Sequence, residues 1–345
     1  MVNRKTDNPL QASKQASKQA RIASLQVVRI VACLSVFAVH FGQRVGLTGV
    51  LRAVTDLGQY GVHVFLIISG FFAAKGLDNH IEIVEYYKKR FISIMPLYYC
   101  LILYYFITEN ALEIVRPHIP ADPTGLGWLR YVFLLNGFVK SDTYFWSNLG
   151  ITWTIPIFVF FYLVAPFAIR LIRNKTCASL AFIVAVGISF GLRHLYECSV
   201  ITNLYLPFAG VLLFFFWKDK KQHILIPVFV LLAVLLALLH DRSHMLVSLL
   251  AAGIAVALVF SNKLVFREKT QKWIDRLDEH TYTIYLVHGV VFCSLIDRLK
   301  PLGVPSVIIG GIAILLTTVG TILVHKWIEK PIQTLLRKEL LHHST

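Results

Sequence analysis

Long apolar stretches without a charged residue most constrain what this chain can fold into. Two of them are ILIPVFVLLAVLLALL at 224–239 and MLVSLLAAGIAVALVF at 245–260. Soluble domains contain about 25% charged residues, whereas this chain has 15% charged and 56% hydrophobic residues. Because lipid cannot hydrogen-bond to the backbone, such segments cross membranes as helices. The sequence therefore predicts an all-α integral membrane protein.

About ten transmembrane helices are predicted from these apolar segments. They are 24–44, 58–76, 91–108, 150–170, 177–193, 199–217, 223–240, 244–262, 281–298 and 304–327. A further apolar piece at 128–139 is shorter than the ~20 residues that a crossing requires. We therefore expect 128–139 to form a re-entrant or interfacial segment.

The distribution of basic residues predicts that both termini are cytoplasmic. With ten spans and the N-terminus inside, more than two-thirds of the 34 lysines and arginines fall on the inner side, as the positive-inside rule expects. Basic loops thus account for the net charge of +15 without a nucleic-acid partner. The predicted organisation is a flexible cytosolic tail at 1–23, a membrane domain at 24–332 and a cytosolic tail at 333–345.

Two ionisable residues lie inside the first span, and they indicate function. Arg29 and His40 are separated by eleven positions, which is about three helical turns, so both lie on one face and about 16 Å apart along the axis. A charged side chain costs roughly 2.5–3.5 kcal/mol at the centre of a membrane helix on insertion scales. We therefore expect a polar stripe that faces the bundle interior, with a cation near the helix start and a base deeper inside.

Two further polar segments carry candidate residues, each with a structural alternative. In GQYGVHVFLIISGFF, Ser69 can hydrogen-bond to a neighbouring helix, and His63 is more typical of a structural than a catalytic histidine. Basic residues before the third span either anchor its topology or bind an anionic group such as a nucleotide phosphate. Those residues are Lys88, Lys89 and Arg90.

Aromatic and sulfur-containing residues complete the candidates. Tyr282, Tyr285 and His288 recur every three residues near the C-terminus, which predicts either packing or a second polar stripe. Trp153 fits an interfacial aromatic belt. The five cysteines lie scattered in or beside apolar segments without metal-ligand spacing, and we predict no metal site.

Six segments, in order, resemble the acyltransferase 3 family of bacterial integral membrane acyltransferases. Arg29 and His40 match its first-span pattern, GVHVFLIISGFF resembles its ISGF signature, and Glu329-Lys330-Pro331 resembles its closing motif. The other three similarities are carried by Arg90, Pro96 and Tyr98, by Trp153, Thr154, Phe161, Tyr162 and Pro166, and by Tyr285, Leu286 and His288. The resemblance extends over roughly residues 24–332. The chain departs from the family pattern where Gln26 replaces an aspartate, Ser93 an arginine and Phe158 an acidic residue.

The resemblance implies an enzyme of the bacterial inner membrane that moves an acyl group, usually acetyl from acetyl-CoA, to a hydroxyl of a carbohydrate or glycolipid. Acyl-CoA is then a co-substrate, with no bound cofactor and no metal. His40 is expected to be the base, because imidazole titrates near neutral pH, and Arg29 to bind a donor phosphate or stabilise an oxyanion. The expected substrate-binding residues are Lys88, Lys89, Arg90, Tyr98, Ser69, Trp153, Tyr285 and His288.

Two alternatives remain open from the residues. Intramembrane charges also line the paths of transporters for sugars or lipid-linked sugars. The departures at Ser93 and Phe158 would also suit a weakened relative that acts as a partner or sensor.

Overall fold

The computed structural model describes residues 22–78, 81–108, 127–139, 148–193, 196, 198–261, 263–292 and 299–341. Regular structure in these residues is helical, with no strand. The α-helices are α1 Ala23–Val45, α2 Gly49–Asp56, α3 Gly61–Asp78, α4 Ile83–Phe106, α5 Gly127–Val132, α6 Ile155–Leu171, α7 Lys175–Leu192, α8 Ser199–Thr202, α9 Tyr205–Lys218, α10 Leu225–Leu238, α11 Arg242–Val259, α12 Glu268–Val291, α13 Ser306–Val324 and α14 Lys330–Leu341.

Seven helical segments among the described residues are long and apolar enough to cross a membrane, so this is a multi-pass membrane protein. They are Ala23–Val45, Gly49–Asp78, Gly150–Leu171, Lys175–Leu192, Ser199–Lys218, Arg242–Val259 and Ser306–Leu341. Of the other expected spans, α10 has only 14 residues, while α4 and α12 begin with charged turns. The count of about ten and the cytoplasmic termini therefore stay predictions.

Helix α12 corrects one predicted boundary. The span was expected at 281–298, but the helix begins at Glu268, and residues 293–298 lie outside the described part. The charges at 268–279 are typical of a loop, yet a helix can continue past the bilayer into water. Its first turn is supported there by an ion pair between Lys272 and Glu268 at 2.6 Å.

The last span also continues as helix, through α13 and α14, to Leu341. A π turn over His325–Glu329 joins the two helices. Pro331 lacks an N–H and its ring crowds the carbonyl four residues earlier, which accounts for a widened turn just before it. Residues 333–341 of the expected tail are thus helical.

The segment at 128–139 is the six-residue helix α5 followed by a 3₁₀ turn at Leu135–Gly137. It packs on α4, where the buried Tyr98 hydroxyl donates to the carbonyl of Tyr131 at 2.8 Å. Six helical residues extend only about 9 Å, so this segment is far too short to cross a membrane.

Close backbone contacts hold the centre of the bundle together. A Cβ atom added at Gly70 of α3 would lie 1.8 Å from the carbonyl oxygen of Pro207, and one at Gly210 of α9 would lie 1.8 Å from that of Ile67. Such contacts are possible only for glycine, and small residues are the usual means of close helix packing in lipid.

Ion pairs join several loops at one end of the bundle. Lys218 pairs with Asp78 at 2.7 Å, and Lys175 pairs with Asp219 at 2.7 Å. The start of α1 and the last helix α14 also meet at one end, because Ile22 and Arg337 line a common cavity. We call this the terminal end and the other the opposite end.

Candidate active site

Helices α1 and α12 pack parallel to each other and form a polar seam. From the terminal end inwards, Arg29 meets Asp278 and the thiol of Cys33 meets the carbonyl of Thr281 at 3.3 Å. Deeper along the same seam, the ring of Phe37 packs near His288, with centroids 6.3 Å apart. The stripe predicted on the first span therefore faces the stripe predicted on the ninth.

The guanidinium of Arg29 is held by both oxygens of Asp278. Its Nε donates to Oδ1 at 2.6 Å, and its Nη2 donates to Oδ2. The arginine side chain is 32% exposed, whereas that of the aspartate is 9% exposed. A bidentate pair fixes the orientation of an arginine and offsets the cost of desolvating its charge, while leaving N–H donors that can meet a ligand.

A hydrogen-bonded network surrounds this pair at the terminal end. The amide of Gln26 donates to Asp275 at 3.0 Å and to Asp278 at 3.2 Å. Gln271 in turn donates to the amide oxygen of Gln26 at 3.1 Å. An aspartate at position 26 would bring a third carboxylate to the same place, so the glutamine fits the two carboxylates that α12 supplies here.

Two connected chambers open beside the seam, and we call them together the funnel. The outer chamber, at the terminal end, has a volume of about 640 Å³, and the inner chamber has about 270 Å³. Seven residues line both: Arg29, Ser69, Arg90, Ser93, Tyr162, Thr281 and Tyr282. Since Arg29 faces both chambers, a ligand that entered the inner chamber would pass the fixed cation.

The outer chamber carries charges of both signs. Its guanidinium groups belong to Arg29, Arg90 and Arg337. Protein donors engage three of its four carboxylates, those of Asp275, Asp278 and Glu329.

Glu329 of the closing motif is one of these engaged carboxylates and is 5% exposed. It accepts hydrogen bonds from Thr283, from Nδ1 of His325 at 2.7 Å and from Gln333 at 3.1 Å. Such satisfied carboxylates repel an anionic ligand less than free ones would, because their charge is already shared with donors.

The inner chamber is lined by α6 and by the middle of α12. Tyr285 lies in its wall, donates to the carbonyl of Ile151 and bonds to the hydroxyl of Thr154 at 3.0 Å. Ring contact links Tyr285 to His288, with centroids 5.7 Å apart. The row of polar groups thus continues from the funnel towards the histidines.

His40 and His288 form a pair beyond the inner chamber. Their ring centroids lie 5.3 Å apart. Nδ1 of His288 lies 3.1 Å from the carbonyl of Ile284, and a carbonyl can only accept, so Nδ1 carries the proton. Nε2 is then a buried acceptor, and it has no hydrogen-bond partner among the described residues.

The structure brings only some of the expected site residues together. Arg29, Arg90, Ser69 and Tyr285 line the funnel, and His40 lies next to His288 but lines neither chamber.

The other expected binding residues lie away from the chambers. Lys88 lines neither of them, and Lys89 pairs with Glu85 at 2.6 Å on the surface. Tyr98 anchors the segment at 127–139. Trp153 packs against the core, and its neighbour Thr154 lines the inner chamber instead.

Asp278 is the residue that sequence reasoning missed. It lies seven positions before Tyr285, hence almost on the same helical face, so the stripe of Tyr282, Tyr285 and His288 could have been extended back to it. The expected span began at 281, which excluded it. Two of the departures from the family pattern, Ser93 and Phe158, also line the inner chamber.

A family model described as an acyltransferase domain matches residues 22–326. The chain belongs to the acyltransferase 3 family. This confirms the family resemblance, although the closing motif at 329–331 lies beyond the matched residues, and makes the protein a member of a family of membrane acyltransferases. The match covers the seam, the inner chamber and the His40–His288 pair. It ends inside the π turn before α14, so Glu329, Gln333 and Arg337 of the outer chamber lie beyond it.

A curated relative in this comparison is the acyltransferase MdmB of Streptomyces mycarofaciens. It is 28% identical over 161 residues, which are 45% of this chain and 41% of the relative. The aligned part is thus about two-fifths of the relative's length. No solved structure matches the chain.

Proposed function

We propose that this protein transfers an acyl group from an acyl-CoA thioester to a hydroxyl group of a carbohydrate or glycolipid acceptor. One observation carries the proposal: a single seam joins a fixed arginine at a large polar funnel to a pair of histidines, of which His288 is buried. That arrangement supplies an anion-binding group where a donor would enter and a base where a hydroxyl would react. The acyl-CoA donor and the carbohydrate acceptor are both part of the proposal.

The funnel suits the shape and charge of coenzyme A. Arg29, Arg90 and Arg337 offer guanidinium donors to its phosphate groups, for which planar N–H pairs are well matched. The narrower inner chamber, lined by Ser69 and Tyr285, would take the slender amide arm that ends in the thioester. Basic loops gather at the terminal end, so we expect the donor to enter from the cytoplasm.

The proposed chemistry requires one base and one leaving thiol. His40 takes the proton of the acceptor hydroxyl as its oxygen attacks the thioester carbonyl. The carbon–sulfur bond then breaks, and coenzyme A leaves as the thiolate and takes up the proton. His288, whose Nε2 is an available acceptor, holds the ring of His40 in place and supports its proton exchange.

The proposal is tested with purified protein and radiolabelled acetyl-CoA, by measuring release of coenzyme A and transfer of label. His40→Ala should lower turnover by about 10²–10⁴-fold, the usual contribution of a general base. The matched control is His223→Ala, because His223 is an exposed histidine, and it should leave turnover unchanged. Near-normal turnover of His40→Ala would show that the base is another group.

Arg29→Ala tests the donor end separately. We expect a weakened affinity for acetyl-CoA, seen as a raised KM, whereas His40→Ala should mainly lower kcat. His63→Ala should have a milder effect than either. Unchanged donor affinity in Arg29→Ala would contradict the role of the funnel.

A further inference from the structure

A second polar pocket lies at the opposite end of the bundle. The starts of α3 and α11, the end of α7 and the turn after α8 surround a volume of about 250 Å³. Its lining shares no residue with either chamber of the funnel, and it includes Gln59, Tyr60, His63, Arg193, Asn203 and His244.

The imidazole of His244 is fixed between two neighbours. Its Nδ1 lies 2.8 Å from the hydroxyl of Tyr205, and its Nε2 lies 3.4 Å from Nη1 of Arg193. Because a guanidinium only donates, Nε2 accepts and Nδ1 carries the proton. Arg193 also lies over the ring of Phe190 and 3.7 Å from Asp241, so its position is set while its charge is partly balanced.

One buried polar atom of this pocket lacks a hydrogen-bond partner among the described residues. Nδ1 of His63 is buried and has no hydrogen-bond partner. The amide nitrogen of Asn203 donates to the carbonyl of Ser199 at 2.9 Å and to Thr202 at 3.1 Å, which directs the amide oxygen elsewhere as an acceptor. A buried polar group without a partner destabilises the folded protein, so a ligand that pairs with it binds favourably.

The lining matches a neutral polyhydroxyl ring better than an anion. Acceptors, donors and the aromatic rings of Tyr60 and Phe190 are mixed, and Asp241 offsets the one guanidinium. Hydroxyl groups can donate and accept at once, and apolar ring faces pack on aromatic side chains. The volume is slightly below the ~300 Å³ at which pockets for drug-sized ligands begin, a size that suits a single sugar ring.

We propose that this pocket binds one sugar ring of the carbohydrate acceptor, and the inference rests on the proposed function. Helix α1 separates it from the reacting end, because α3 packs on the face of α1 that carries Ala32 and Ser35, whereas His40 faces His288. The pocket therefore holds a ring remote from the acylated hydroxyl. The pocket selects the acceptor, which enters from the side of the membrane opposite to the funnel.

The experiment is saturation-transfer NMR on the full-length protein in detergent, with methyl glycosides of glucose, galactose, mannose and N-acetylglucosamine as probes. At least one glycoside should give a signal with the wild type. Ser243→Trp, which fills the mouth from an exposed position, should reduce that signal at least five-fold. Because His63→Phe removes the buried imidazole, it should do the same. Ser306→Trp, at an exposed serine of the same end, should retain the signal.

The release of coenzyme A separates failure of this inference from failure of the enzyme proposal. Release from acetyl-CoA is measured on the wild type, because the funnel that would bind the donor shares no lining residue with this pocket. Absence of any glycoside signal, or a signal that persists in both variants, overturns the proposal that this pocket binds a sugar ring. A variant-sensitive glycoside signal together with no release by the wild type overturns the enzyme proposal and leaves the sugar pocket standing.

Discussion

Helix α1 packs against its two main neighbours in opposite ways. Against α3 and the 3₁₀ turn before it at Leu57–Tyr60, the backbones nearly touch. A Cβ at Gly58 of the turn would lie 1.9 Å from the carbonyl of Ser35, and one at Gly61 of α3 would lie 2.4 Å from that of Ala32. Against α12, polar side chains such as Arg29 and His40 form the contact, and the funnel opens beside them.

The difference separates folding from chemistry within one helix. Glycine contacts leave no space for a ligand and supply van der Waals packing, which drives helix association in lipid. Polar side chains on the other face cost free energy to bury and persist only with partners. We therefore expect substitutions on the glycine side to change stability and those on the polar side to change activity.

Gly61→Ala should have the largest effect, because its Cβ would overlap the carbonyl oxygen of Ala32 in α1 at 2.4 Å. Overpacking against a fixed backbone should lower the free energy of unfolding by about 3 kcal/mol. Gly76→Ala in the same helix meets nothing within 4 Å and should be neutral or slightly stabilising. Thermal unfolding in detergent compares the two variants. Equal unfolding midpoints would contradict the expectation that the glycine contacts determine stability.

Asp278→Leu should destabilise the polar contact between α1 and α12, because it leaves Arg29 without its bidentate partner. Since that arginine is 32% exposed, we expect a loss of about 1–2 kcal/mol, below the range for a fully buried pair. The double variant Arg29→Met, Asp278→Leu should recover most of this stability. It should not recover coenzyme A release, and recovery of both would mean that the pair is only structural.

Gln26→Glu should have a smaller effect on the same side. It replaces an amide that donates to Asp275 and Asp278 with a third carboxylate, at a cost of about 1 kcal/mol. Gln26→Met removes the donor without adding charge and should cost less. The order of the two unfolding midpoints checks this, and the reverse order would rule out repulsion as the cause.

The smallest effect is expected at Lys175, which belongs to neither the glycine side nor the polar side of α1. Its hydrogen bond and charge lower the pKa of the exposed Asp219, so the ion pair stabilises the protein at neutral pH and is lost as acid protonates the carboxyl. Lys175→Met should leave activity unchanged. Its slightly lower unfolding midpoint at pH 7 should converge with the wild type in acid, and a difference that grows in acid would contradict this sign.

Much of the architecture was predictable because apolar runs and helical periodicity are local properties. The helical membrane class follows from charge-free stretches, and the family follows from six ordered segments. Helix α12 was harder, because the charges at 268–279 resemble a loop until the partners across the seam are known.

The site was predictable only in part for a related reason. The spacing of Arg29 and His40 gives the face on which they lie, and the structure places that face against α12. The pairing of Arg29 with Asp278 joins residues 249 positions apart, and no periodicity within one helix indicates such a contact. Lys88 and Lys89 have the same charge as Arg90, but Arg90 alone of the three lines the funnel. The rotation of α4 about its axis decides which of these side chains faces it.

The continuous helix from Ser306 to Leu341 has a further consequence. Its 36 residues extend about 54 Å, well beyond a hydrocarbon core of about 30 Å. Gln333 and Arg337, near its far end, still line the outer chamber. The wall of that chamber therefore stands in water, and a bulky hydrophilic molecule can be gathered in an aqueous vestibule by the membrane helices themselves.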